Sequence, residues 1–487
     1  MKKIIFAITA LSFLFMAGCV NDSDDFNDNR DRPYDVPPET LLAYAQKSLA
    51  DQMTTPSVNL NVFRFFQKYW ATTDYPGDAR FNFTGTRRVP DNHWLNLYTN
   101  VLGNLETAKQ NVGLETKPST ITEEQFNKQQ ANKIAIIDIL QVYTYQILVD
   151  SFGDIPYSEA LDPTNVLPAY DNDSEIYPML IDRLNDDIAM LDVNYGSFTS
   201  GDNLLNGDVG KWNIFANSLK LKLGINLADT NSSLAKSTVE SAYAAGVILS
   251  NSNNAIFKYP SAAPNYNQIY ANVIASGRND YVGEETLIDH LNMLEDPRIS
   301  SYFTAVDGEY IGGVLGTLNT WTELSHVGDM LIAPDFHSFL FDASEVNFYL
   351  AEAAARGYSV GGSEENYYNA AITASMEQWG VPTVNISTYL TQPNVAYSTA
   401  TGDWKEKIGT QAWIAMYNRG FESWNFFRRL DYPLLTAPNA VPAAQGKIPT
   451  RLTYPIPEQT VNGTNWTAAS TAIGGDNLTT KVFWDVN

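Results

Sequence analysis

From residue 38 onward, apolar positions recur mostly at helical spacing. Segments 39–53, 57–70 and 92–111 predict helices, and the first two open near a proline. Thr122, with Gln125 three residues on, matches a capping box and predicts a helix running to about residue 149. Between 134 and 149, apolar residues occupy nearly every face, so this helix should be central and buried. From Ser174 a cleaner stripe follows: Ile176, Leu180, Leu184, Ile188 and Leu191, with Asp182, Arg183, Asp186 and Asp187 on the wet face.

Two later regions read as helix pairs, 211–229 with 237–250 and 344–357 with 363–380. Trp212, Phe215, Ala216 and Leu219 fall at the offsets of a tetratricopeptide first helix, and Val346, Tyr349, Leu350 and Ala353 repeat those offsets loosely. No strict repeat period is present, so the pattern is a degenerate helical-repeat scaffold, not a regular solenoid. Segments 251–341, 385–403 and 438–487 are different. They are rich in Asn, Gly, Pro, Ser and Tyr and show little helical period. Loops of this length in a compact protein usually carry function.

The N-terminus changes the picture. Lys2 and Lys3 precede an apolar run from Ile4 to Phe15, a signal-peptide core too short to span a membrane comfortably. Ala17 and Gly18 lead directly to Cys19, the chain's one cysteine, as in a bacterial lipobox. The expected organisation is a signal peptide over 1–18, acylation at Cys19, an acidic tether over 19–37 and a folded domain over 38–487. The acidic run after the cysteine also resembles the surface-export signals of Bacteroidetes lipoproteins.

Composition narrows the chemistry. The formal charge of the 487 residues is −24, which argues against a nucleic-acid partner. One Cys and four scattered His exclude an internal disulfide framework, a cysteine-rich zinc site and an iron–sulfur cluster, and no cofactor is expected. Asp171 and Asp173 precede a helix start, where acidic residues favour the helix dipole, so no metal site is expected there. No nucleophile elbow, zincin motif or triad spacing is present. Paired carboxylates for glycoside hydrolysis are not excluded by spacing, which keeps a lipid-anchored glycosidase as an alternative to a binding protein.

Aromatic residues in the irregular segments are the positive signal. Trp70, Tyr75, Phe81 and Trp94 stand near Arg80, Arg87 and Arg88, while Tyr266, Tyr270, Tyr281, Tyr302, Tyr310 and Trp321 populate the central region. A flat ring matches the C–H face of a sugar, and Asn, Asp or Arg match its hydroxyl rim, although a peptide could use the same surface. The candidate ligand contacts are Trp94, Tyr310 and Trp321, with Arg80 and Arg278 as polar partners.

An ordered set of motifs then resembles a known family. It comprises the lipobox, the run from Asp150 to Ala160, the segment 212–228, Asp296-Pro297-Arg298, Arg419-Gly420-Phe421-Glu422-Ser423-Trp424, Arg428-Arg429-Leu430, and Arg451-Leu452-Thr453-Tyr454-Pro455 with Glu458-Gln459 and Asn462. Together they are similar to the SusD/RagB nutrient-binding outer-membrane lipoproteins of Bacteroidetes, over nearly the whole chain, in a divergent branch. The resemblance implies a mainly α fold of about four tetratricopeptide-like helix pairs, long irregular loops and a variable lobe. It implies binding without catalysis, with oligosaccharides, or peptides in some branches, as ligands. It also implies a SusC-like TonB-dependent transporter as partner in the outer membrane. Asp154, Pro156, Arg428, Arg429 and Pro455 read as loop-fixing and ion-pairing residues within that pattern.

Overall fold

The Thr122 side chain accepts the Gln125 N–H, and the Gln125 side chain accepts the Thr122 N–H in return. This reciprocal cap opens the longest helix, Glu123–Phe152, in a computed structural model that describes residues 36–83 and 87–486. The segments expected to form the signal peptide and most of the acidic tether, with Cys19, lie outside the described residues. From Ala135 to Phe152 every residue of this helix is buried. It is apolar enough to cross a membrane by length and composition, but here it is the core of the fold.

Among the described residues, helix pairs form the frame. Pro38–Thr54 packs on Gly103–Leu114, and Glu123–Phe152 on Asp173–Met190. Val209–Asn226 packs on Ser232–Ala245, and Ala343–Ala355 on Glu364–Gln378. Trp404–Ala415 and Gly420–Leu430 follow and close on the last pair. Pairing is tight where residues are small. A Cβ at Gly224 would meet Thr238 and Val239 methyls at 3.0 Å, so a larger residue would push these neighbours back by a few tenths of an ångström. This is the mainly helical architecture that the resemblance implies. The expected core residues Trp212, Leu219, Leu223, Val346 and Leu350 are all buried.

Ionic groups sit at the centre of this frame. Lys222 is fully buried and reaches Glu422 at 2.5 Å and Glu345 at 3.2 Å. Arg419 pairs with Glu345 at 2.5 Å and Asp342 at 3.1 Å. Three helices are joined through these contacts: Val209–Asn226, Ala343–Ala355 and Gly420–Leu430. Burial and the Glu345 charge push Glu422 up to about 7, against the pull of Lys222. Arg429 pairs with Glu352 at 2.9 Å, and the Arg428 guanidinium lies over Trp424 at 3.5 Å and over Trp484 at 4.7 Å. Arg428 and Arg429 therefore have the ion-pairing and fixing character read from their motif.

Several local expectations differ; among them, the segments 385–403 and 438–487 include or overlap the helices Thr383–Leu390, Ile456–Val461 and Gly463–Ala472. Segment 57–70 is not one helix. It holds a turn, a short helix Phe63–Phe66 and the strand Trp70–Thr72. The Asn61 side chain accepts the Phe63 N–H and donates to the Gln52 carbonyl, which ends any continuous ladder there. Asp187, placed by periodicity on the wet face, is buried, because Asp138, Lys109 and Arg183 lie around it. The central region is more ordered than its composition implies. Trp70–Thr72 pairs antiparallel with Tyr281–Gly283, Ala255–Phe257 pairs antiparallel with Ser338–Phe341, and Glu285–Met293 is helical.

Candidate functional site

A cleft of about 630 Å³ is walled by five separate stretches of chain. They are the loop at Phe81–Phe83, the helix start at Pro90 and Asp91, the turn from Val441 to Gln445, the stretch from Thr453 to Gln459, and the C-terminal segment from Asp476 to Thr479.

Local chemistry fixes each wall. Phe81 has φ of 63° and turns its ring edge-on to Phe66 at 5.1 Å, anchoring the first loop to the core. The Arg80 carbonyl accepts the Val441 N–H at 2.8 Å, which ties that loop to the 441 turn. Asp91 accepts the Ile456 N–H at 3.0 Å and a hydrogen bond from Arg88 Nε at 2.6 Å. Asp476 takes Arg451 Nη1 at 2.6 Å, the Tyr454 N–H at 2.9 Å and the Trp466 indole N–H at 3.3 Å. Arg451 also donates to the Phe152 carbonyl and lies over the Tyr454 ring at 4.5 Å. The back of the cleft is thereby locked to the end of the long central helix.

Behind that wall, the Tyr454 hydroxyl donates to the Asp154 carbonyl. Asp154 accepts the Asp173 N–H at 2.9 Å, and Asp173 accepts the Phe483 N–H at 3.0 Å. Burial and the neighbouring Asp154 push Asp173 up to about 7. Asp171 accepts the Tyr157 and Ser158 N–H groups. These carboxylates spend their oxygens on backbone donors, and Asp154 has the loop-fixing role read from its motif. Among the described residues, no group of three or more His, Cys, Asp or Glu is arranged to hold a metal ion.

The residues singled out from sequence fall in three places. Arg80 directly precedes the cleft residue Phe81, while Tyr310 and Trp321 flank in sequence the stretch at Leu315 and Gly316 that is tied to Arg80 and Asn439. Arg80 Nε donates to the Gly316 carbonyl at 2.6 Å, and Asn439 donates to Leu315 at 3.0 Å. Trp321 stacks on His326 with centroids 3.6 Å apart and planes 9° apart, and Tyr310 is half-buried against the core. Trp94 is half-buried among Tyr98, Phe152, Tyr170 and Tyr454, and reaches the cleft only through Tyr454. Arg278 is elsewhere, in a shallow hollow with Tyr75 and Arg87, paired with Asp280 at 3.0 Å. Trp70, Tyr281 and Tyr302 are core residues: the Tyr281 hydroxyl donates to Pro56, and Tyr302 stacks on Tyr417 at 4.2 Å.

Much of the cleft carries no aromatic signal in the sequence, because its polar walls are largely amides and hydroxyls in the C-terminal part of the chain. The motif from Arg451 to Gln459 points there, but reads as scaffold. It is both: Arg451 is internal, while Thr453, Tyr454 and Gln459 face the cavity. His93 is no catalyst. It is buried between Gln52 and Ser151, and burial lowers its pKa to about 3, so it stays neutral.

A helical-repeat frame carrying one loop-walled cleft defines a class of ligand-binding protein. A family model described as SusD-like, starch-binding and associating with the outer membrane matches residues 30–455, and the chain belongs to this SusD-like family. SusD-like binding proteins are non-catalytic. Similar solved structures include a chitin-binding protein, 27% identical with a TM-score of 0.79 over 92% of this chain and 100% of that one. A chitin-binding SusD homologue from Flavobacterium johnsoniae is 26% identical, with a TM-score of 0.76 over 92% of this chain and 99% of its own. A SusD homologue from Bacteroides uniformis is 28% identical, with a TM-score of 0.74 over 92% and 99%. Among curated protein sequences no match was found.

Proposed function

We propose that the chain is a lipid-anchored, cell-surface protein that binds oligosaccharides and delivers them to a SusC-like TonB-dependent transporter in the outer membrane. The cleft is the observation that carries this reading. It is large enough for a few sugar rings, and it mixes apolar walls with neutral amides and hydroxyls, the pairing that a polyol with C–H faces requires. The family description and the chitin-binding relatives support glycan over peptide. Arg80, Tyr310 and Trp321 serve as rim contacts where a longer ligand leaves the cleft. Trp94 acts as a positioning residue through Tyr454, and Arg278 stays outside the proposed site.

Anchoring rests on Ala17-Gly18-Cys19. A lipoprotein N-terminus carries several acyl chains, and about 0.8 kcal/mol per buried methylene makes release negligible. Palmitate labelling of the full chain is expected in the wild type and absent in Cys19→Ala. Persistent labelling, or a soluble wild type, would sink the anchor. In cells, deletion should abolish oligosaccharide uptake while surface hydrolysis continues. Loss of hydrolysis instead would favour an accessory glycosidase.

A further inference from the structure

We infer that the cleft selects uncharged saccharides and excludes anionic ones such as uronic-acid oligomers; this rests on the glycan reading above and names its substrate class. Among the described residues, neither Lys nor Arg lines the cavity. Its charged lining groups are Asp91 and Asp476, both carboxylates. Arg451 stands behind Asp476, but it is 1% exposed and holds Asp476 and the Phe152 carbonyl. Its guanidinium is thus committed to internal acceptors. Arg88 pairs with Asp91. Arg80 and Arg278, the cations that the sequence offered as ligand partners, donate to Gly316 and Asp280 and do not line the cavity.

A carboxylated sugar entering here gives up hydration, meets carboxylates already paired with Arg88 and Arg451, and finds no further cation lining the cavity to replace the lost water. An uncharged sugar meets a suitable lining. The amides of Gln445, Gln459 and Asn477 and the hydroxyls of Thr453 and Thr479 each offer donor and acceptor. Pro90, Val441, Pro442, Ile456 and Leu478 supply apolar wall. The net charge of −24 adds a long-range repulsion, which salt screens. The local effect should persist in salt, and that separates the two.

The test is calorimetry of the full chain against cellotetraose, chitotetraose and tetragalacturonate, at low salt and at about 0.5 M salt, where the Debye length falls to a few ångströms. Gln459 is exposed on a surface helix, so Gln459→Lys places a cation at the cleft without disturbing the core. The wild type should bind at least one neutral tetramer, and tetragalacturonate at least about tenfold more weakly at both salt levels. Gln459→Lys should narrow that gap several-fold. Tetragalacturonate binding as tightly as the neutral tetramers would overturn the charge selection and leave the glycan reading standing. An unchanged gap in a folded Gln459→Lys would also overturn it, because the exclusion would then arise outside the cleft. If no tetramer binds, the glycan reading itself falls, and this inference falls with it.

Discussion

Replacing Lys222 by Met should destabilise the protein by about 3–5 kcal/mol, because removing one partner of a buried ionic group leaves the others uncompensated. Lys222 reaches Glu345 and Glu422, all of them buried, in the same cluster as Asp342 and Arg419. With Lys222 gone, three carboxyl groups share one guanidinium, and at least one must take up a proton. Glu422 already sits near 7 and is the group placed to do so. The double variant Lys222→Met with Glu422→Gln should therefore recover part of the loss. Urea denaturation of the wild type and the two variants checks this. A loss below about 1 kcal/mol in Lys222→Met would show that the cluster does not hold the frame together.

Trp212→Ala should cost a comparable 3–5 kcal/mol or so, the usual range for deleting a buried Trp. The indole is fully buried, meets Phe215 edge-on at 5.3 Å and donates to Asp202 Oδ2 at 2.7 Å. Asp202 also accepts from Gln46 and from the N–H groups of Leu204 and Gly207, so this residue links the Pro38–Thr54 helix to the loop before Val209. Truncation leaves both a cavity and a carboxylate short of one donor. Trp212→Phe keeps most of the packing and should lose only about 1 kcal/mol, the net worth of the hydrogen bond. Equal melting curves for all three proteins would refute the helix-pair account of this segment.

The frame was legible where a single periodicity decides the element. The cap at Thr122, the buried face of the long helix and the two later pairs follow from spacing alone, to within a few residues. Periodicity fails where a polar residue is buried by a distant partner. Asp187 carries the spacing of an exposed residue, yet it faces Asp138 and Arg183, and nothing local announces those neighbours. It fails again at residues 57–70, where the buried Arg64 spends its donors on Thr54, Thr55 and Asn418.

The site was harder to read. Aromatic residues in irregular segments serve two ends, and sequence does not separate them. Tyr281 and Tyr302 fill the core beneath the loops, while Trp321 stacks on His326 nearer the surface. The cleft draws on residues 81–91 and 441–479, more than 300 positions apart, and its neutral amides belong to no motif. The family motif supplied Arg451, but only the folded chain shows that it holds Asp476 at the back wall and which side of Tyr454 is open.

An oligosaccharide in this cleft should be displaced by filling the cavity. Ala443 is exposed on its wall, so Ala443→Trp should fill the cavity while leaving the frame intact. Titrating a panel of glucan, xylan and chitin oligomers into wild type and variant gives the most direct test. The wild type should bind at least one oligomer, and the variant should lose at least about tenfold in affinity with unchanged melting. Equal affinity in both proteins, or binding of peptides alone, would contradict an oligosaccharide site in this cleft.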